Sequence, residues 1–210
     1  FLEESNTMWM KDEFCSSGST SDLGWTSRGN GTGATVNAKA GELNHPCIKR
    51  LTSGTDSTSL AYLSMGDSNG FYFQNELAFK AIVRLNNLVS GQVARLGFCD
   101  VWDANNECTN GMYFAYEPND NSNWKAIVVN NGSRSAQAMT TPTGGFQTLT
   151  AIFGSSKSVF KIDGTSFDHT TNLPTNQTAG FFFQVFNSGS SSSKTMDVDY
   201  IEIWNNSLTR

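Results

Sequence analysis

From residue 59 onward, short runs of β-branched and aromatic residues alternate with clusters of Gly, Asn, Ser and Thr, and this punctuation constrains the fold more than any single motif. In Glu76–Leu85, every second position is apolar (Leu77, Phe79, Ala81, Val83, Leu85), with Lys80 and Arg84 between them. That is the period of a strand with one face in a core. Similar runs occupy Ser59–Met65, Gln92–Cys99, Gly111–Glu117, Trp124–Val129, Phe146–Phe153, Ser158–Ile162, Ser166–His169 and Met196–Trp204. Phe181–Phe186 is apolar on both faces except at Gln184, as expected of a strand covered on both sides in mid-sheet. Asn130-Asn131-Gly132 and Asp163-Gly164 are hairpin signals, because Asn, Asp and Gly tolerate positive φ. Residues 16–33 and Ser188–Lys194 read as polar loops. No long amphipathic period and no internal repeat interrupts this pattern. The reading is all-β: a two-sheet antiparallel jelly-roll sandwich spanning residues 1–210 as a single domain, with Phe79, Phe114, Phe160 and Phe183 in its core.

Composition narrows the partners. Only 16% of residues are charged, against about 25% in ordinary soluble domains. The net charge is −5, and the densest basic spot is Lys49-Arg50, so no concentrated basic face is available for nucleic acid. No apolar stretch approaches the ~20 residues of a membrane-spanning helix. The chain opens at Phe1 rather than Met, as after removal of a leader or trimming of a longer chain. Four cysteines (Cys15, Cys47, Cys99, Cys108) allow three pairings. Proximity favours Cys99–Cys108 and leaves Cys15–Cys47, with four free thiols as the alternative. A zinc site is not expected, since there is no Cys-x-x-Cys and the histidines are His45 and His169.

Three constellations carry candidate chemistry. The last run holds Asp197, Asp199 and Glu202 in a D-x-D-x-x-E pattern, close to the E-x-D-x-x-E strand in which a bulge gathers the carboxyls of jelly-roll glycoside hydrolases. Without a bulge, Glu202 faces away from the other two, and Met196, Val198 and Tyr200 form the core row. Asp100, Asp103, Asn105 and Glu107 are candidate calcium ligands, although the spacing is not that of an EF-hand. Trp102, Trp25 and Trp124 are candidates for stacking on sugar rings. No Gly-x-Ser-x-Gly elbow occurs, His45 and His169 stand apart from any nucleophile, and Gly29–Gly33 lacks the spacing of a phosphate loop. A lyase would set Arg and Gln/His beside Tyr on one face; Arg95, Gln92 and Tyr113 are available, without a matching histidine. Asn-x-Ser/Thr sequons stand at Asn30, Asn131, Asn176 and Asn205.

An ordered set of short motifs runs along nearly the whole chain. It begins with Asp12-Glu13-Phe14, Gly24-Trp25-Thr26, His45-Pro46-Cys47 and Arg50-Leu51-Thr52-Ser53-Gly54-Thr55. Asn110-Gly111-Met112-Tyr113-Phe114-Ala115-Tyr116 and Ser122-Asn123-Trp124 follow. Phe160-Lys161-Ile162-Asp163-Gly164, Asn172-Leu173-Pro174 and Met196-Asp197-Val198-Asp199-Tyr200-Ile201 close it. In these the chain resembles the concanavalin A-like lectin/glucanase modules of tailed-phage structural proteins. Cys47 stands where that resemblance expects glycine, and the Cys99/Cys108 segment is an addition. The resemblance implies a two-sheet jelly roll in a capsid decoration (cement) or fibre role, on a virion or otherwise extracellular. The partners would be other virion proteins, further copies of itself or surface glycans, and no catalytic residues are implied. The expectation is therefore a non-catalytic virion surface protein without a cofactor, calcium aside. A carbohydrate-binding module comes second, and a secreted polysaccharide lyase or glycoside hydrolase third.

Overall fold

The computed structural model describes residues 8–15, 23–66, 70–73, 76–86, 88, 90–101 and 108–205. Among them are sixteen strands and no helix. In chain order they are β1 (Met8–Asp12), β2 (Thr26–Asn30), β3 (Thr35–Lys39), β4 (Ile48–Thr52), β5 (Leu60–Met65), β6 (Phe71–Tyr72), β7 (Leu77–Asn86) and β8 (Gln92–Cys99). They continue as β9 (Gly111–Glu117), β10 (Asn121–Asn130), β11 (Ser133–Ala138), β12 (Gln147–Phe153), β13 (Ser158–Ile162), β14 (Thr165–His169), β15 (Thr178–Asn187) and β16 (Thr195–Asn205).

Two antiparallel sheets face each other. Sheet A runs β14-β13-β12-β7-β16-β4-β3, with β1 also paired to β16; sheet B runs β11-β10-β9-β8-β15-β5-β2, with β6 paired to β15. The chain crosses repeatedly between the two, which is the jelly-roll arrangement read from the sequence. Alternation along each strand supplies the core. Leu77, Phe79, Ala81, Val83 and Leu85 of β7 meet Ala94, Leu96 and Phe98 of β8 and Phe181, Phe183 and Val185 of β15 in one cluster. Phe79, Phe114, Phe160 and Phe183 are all fully buried. Edge-to-face ring contacts, such as Phe79–Phe181 at 5.0 Å and Phe114–Phe160 at 5.2 Å, fill the space between the sheets.

The two hairpin turns form as their residues require. Asn131 and Gly132 both take positive φ between β10 and β11, as do Asp163 and Gly164 between β13 and β14. The first half of the chain departs from the sequence reading. Residues 16–33 include β2, and three further strands (β1, β3, β4) precede residue 58. Each is only five residues long and none alternates cleanly between apolar and polar, so they carry little periodic signal; β2 is Thr-Ser-Arg-Gly-Asn and β4 is Ile-Lys-Arg-Leu-Thr. Cys15 is bridged to Cys47 and Cys99 to Cys108.

Candidate functional site

Cross-strand register assembles a polar row on the outer face of sheet B. Arg28, Tyr62, Gln184, Arg95, Ala115 and Lys125 are successive partners from β2 to β10. They point away from the core because their neighbours, among them Leu63, Phe183, Val185, Ala94, Leu96, Phe114 and Ala126, point into it. Beside this row lies a cleft of about 490 Å³, walled by Arg95, Glu117, Asp120, Phe186 and Val93 and by the backbone around Ser188-Gly189. The Arg95 guanidinium lies 5.1 Å from the centre of the Phe186 ring.

Glu117, at the end of β9, is the electrostatic centre of this cleft. It accepts hydrogen bonds from Arg134 Nη2 at 2.7 Å, Lys125 Nζ at 3.2 Å and Arg95 Nη2 at 3.3 Å. Burial pushes its carboxyl up, but the charges of Arg134 and Arg95 and the bonds from Arg134 and Lys125 outweigh burial and hold it below the usual carboxylate range. Lys125 also donates to the exposed Asp120 in the β9–β10 turn. Nothing in residue spacing marks the partners of Glu117. Its three cations come from β8, β10 and β11, and only sheet pairing brings them together.

The acids of the last strand are arranged differently from expectation. β16 pairs with β7 as Val198↔Val83 and then Tyr200↔Ile82, so Asp199 is the extra residue of a bulge. The core row is therefore Met196, Val198, Ile201 and Ile203, not one that includes Tyr200. Asp197, Tyr200 and Glu202 share the outer face of sheet A. Asp197 is fully buried there, bonded to Arg50 (2.6 and 2.8 Å), Arg84 (2.6 Å) and Lys39 (3.3 Å). Burial opposes its ionisation, but Arg50 and Arg84 bring its carboxyl down to about 2. Tyr200 donates to Glu202 Oε2 at 3.0 Å; burial and this bond push the phenol up to about 12. His45, which spacing left isolated, meets Asp199 through Nδ1 at 2.8 Å and stacks on Phe146 at 3.8 Å. The sequence signal that could have found the pairing is weak, because 154 residues separate the two.

The other expected site residues divide plainly. Trp25 and Trp124 are buried in the core rather than displayed; Trp124 donates to Gln147 at 3.1 Å and Trp25 to Asp12 at 2.9 Å. Their polar tips found partners inside, which removes the reason to expose them. The exposed indole among the described residues is Trp9 on β1, bonded through Nε1 to Glu202 at 2.6 Å. Trp102, Asp103, Asn105 and Glu107 lie outside the described residues. Of the calcium candidates, Asp100 spends its carboxylate on Thr109 N, Asn110 N and Asn110 Nδ2, which ties the strand end to the start of β9. Cys99 and Cys108 beside it are bridged, so their sulfurs are not thiolate ligands. Gln92 faces the core and is replaced on the outer face by Gln184, which joins Arg95 and Tyr113 there.

Fold and site together define a concanavalin A-like jelly roll with a cleft at one end of a sheet. The profile of the SO2946-like, C-terminal domain family matches residues 44–199, and the chain belongs to that family. A protein of unknown function, SO2946 from Shewanella oneidensis MR-1, is similar with a TM-score of 0.69 and 15% identity, over 97% of this chain and 89% of that one. A glycoside hydrolase family 16 endo-glucanase from Bacteroides ovatus is similar at 0.66 and 13% identity, over 92% and 99% of the two chains. The conserved carbohydrate esterase vb_24B_21 from Shiga toxin-encoding bacteriophage phi24B is similar at 0.52 and 17%, over 88% and 91%. No curated protein sequence matches the chain.

These findings correct the expectation of a non-catalytic domain. That expectation rested on the last-strand acids lying on opposite faces, and the bulge at Asp199 places Asp197 and Glu202 on one. The fold is moreover shared with glycoside hydrolases and an esterase.

Proposed function

We propose that this domain takes a polysaccharide strand across the outer face of sheet B, outside the cell, on a virion or on another exported protein. The observation that carries the reading is the open cleft at one end of sheet B, walled by Arg95, Glu117, Asp120, Val93 and Phe186. A sugar chain needs such a mixture: apolar side chains to lie against, and charged and amide groups such as Arg95, Glu117, Asp120 and Asn119 to meet its hydroxyls. Two disulfides suit an oxidising location. The likeness to a phage carbohydrate esterase supports the virion setting.

A second reading, turnover of the bound strand, draws on Glu117. An ionised carboxylate on the cleft wall is in the state that a nucleophile or general base requires. Asp197 is a poorer candidate, closed off from solvent by Arg50, Arg84 and Lys39.

Affinity electrophoresis against a panel of glucans, galactans, polyuronates and bacterial surface polysaccharides tests the first reading. At least one gel should retard the domain, and Phe186→Ala should weaken retardation about tenfold, a change of about 1.4 kcal/mol. Retardation by no polysaccharide, or equal retardation of Phe186→Ala, would overturn it. Reducing ends and the ultraviolet absorbance of unsaturated products, followed in the same incubations, test the second. Turnover should vanish in Glu117→Gln.

A further inference from the structure

We propose that the outer face of sheet A is a self-association surface, on which a second copy of this chain docks about a two-fold axis parallel to the strands, between β7 and β12. The inference concerns the opposite side of the sandwich from the sheet B cleft and stands apart from what that cleft binds.

Strand register builds the surface. Trp9, Trp204, Ala78, Ile152 and Val159 are successive partners from β1 through β16, β7 and β12 to β13. Their chain neighbours Phe79, Ala151, Phe153, Phe160 and Ile203 point into the core, so this row points outward. Trp9 is 60% and Ile152 38% exposed, while Trp204 and Val159 are half-buried. Ala78, with only a methyl group, is the low point between Trp204 and Ile152. An apolar row that crosses five strands in the open is a feature of interaction surfaces.

The next row on the same face is polar. Lys11, Glu202, Lys80, Thr150, Lys161 and Ser166 are successive partners from β1 to β14. Glu202 accepts from Trp9 Nε1 and the Tyr200 hydroxyl, both neutral, and each of its oxygens keeps a further lone pair. Among the described residues, neither Glu202 nor Lys161 forms a salt bridge.

These two rows fit a second copy of themselves. A two-fold axis along the strands keeps each row level and reverses the strand order. With the axis between β7 and β12, Ile152 of one copy lies over Ala78 of the other, Trp204 meets Val159, and Glu202 meets Lys161. Every contact occurs twice. Lys80 then faces Thr150 and Lys11 faces Ser166, so no lysine opposes a lysine. Moving the axis onto β7 would set Lys11 against Lys161, which like charge disfavours. The six strands from β1 to β14 span roughly 24 Å and run about 25–30 Å along their length, a face on the order of the ~800 Å² per partner of a standard interface.

The experiment is sedimentation equilibrium of the intact domain from about 1 to 200 µM, where dimers with a Kd of about 1–50 µM are expected. Ile152→Lys puts a charge over Ala78 and should weaken association at least about thirtyfold; near-ultraviolet circular dichroism reports its folding. Lys161→Glu and Glu202→Lys should each weaken it about tenfold. Mixed in equal amounts, those two variants should form a heterodimer within about threefold of wild-type affinity, because both opposite-charge pairs are rebuilt across the axis.

A monomer at every concentration would overturn the proposal, whatever the polysaccharide panel returns. So would a dimer that Ile152→Lys leaves intact, since its contact would lie elsewhere. A monomer whose tryptophan fluorescence shifts with a polysaccharide, but not in Trp9→Ala, would give the face to a sugar instead. Failure of the mixed variants to associate would overturn the axis. If Glu202→Lys does not fold, Lys161→Glu decides, and undiminished association of that variant overturns the pairing.

Discussion

Asp197 on sheet A and Glu117 on sheet B look alike in inventory. Each is a carboxylate on the outer face of its sheet, each is met by three cations, and each has an exposed second acid nearby, Glu42 for one and Asp120 for the other. Charge counting therefore does not tell a site from a structural clamp. What differs is the surroundings. Asp197 has no exposed side-chain surface, and Arg84 also forks onto Glu42 with two bonds of 2.8 Å, so the network closes on itself. Glu117 lines the sheet B cleft and keeps 15% of its side chain exposed. The first arrangement ties β16 to β4 and β7. The second keeps an ionised carboxylate on the wall of an open cleft.

The largest expected effect separates the two directly. Asp197→Ala leaves Arg50 and Arg84 without their shared carboxylate and should cost about 3–5 kcal/mol in denaturant unfolding. Glu117→Gln should cost less, about 1–3 kcal/mol, because the amide oxygen that replaces the carboxylate can still accept from Arg134 and Lys125. Equal costs would break the distinction between clamp and site.

The two disulfides extend the comparison. Cys15–Cys47 joins the segments beside β1 and β4 in sheet A across 32 residues, and Cys99–Cys108 joins β8 to the segment before β9 in sheet B across 9. By loop-closure entropy alone, replacing the first pair with serine should cost about 3.7 kcal/mol and the second about 2.6 kcal/mol. Thermal melts of the two double variants check that order.

Acid titration sharpens the clamp. The Asp197 carboxyl is lowered from 3.8 to about 2 by its cations, so its contribution is complete above the unfolded value and is lost as pH falls from about 4 through 2. Stability of the wild type should fall across that window, and Asp197→Asn should flatten the slope there. The smallest effect is expected at Trp9, which is 60% exposed on the sheet A side. Trp9→Ala should change stability by no more than about 0.5 kcal/mol and leave polysaccharide retardation at the sheet B cleft unaltered.

Much of this molecule was legible from its residues. Alternation in Glu76–Leu85, the double-faced Phe181–Phe186 run and the Asn-Gly and Asp-Gly turns are local signals, set by a two-residue period and by backbone sterics. They delivered an all-β sandwich and its phenylalanine core. β1 to β4 escaped because strands of five residues without a clean alternation are held by their partners rather than by their own composition.

The site escaped for a related reason. Arg95, Glu117, Lys125, Arg134 and Gln184 are dispersed over nearly ninety positions, and nothing in their spacing marks them. The bulge at Asp199 turned the last-strand acids onto one face, and side-chain direction after a bulge depends on which residue the partner strand leaves unpaired. Buried Trp25 and Trp124 show the same limit, since an indole's exposure is decided by whether an acceptor such as Asp12 or Gln147 lies within reach. Sequence alone determined the period, and with it the fold class. Register, which is a property of strand pairs, decided which polar groups meet and which of them stay open to a ligand.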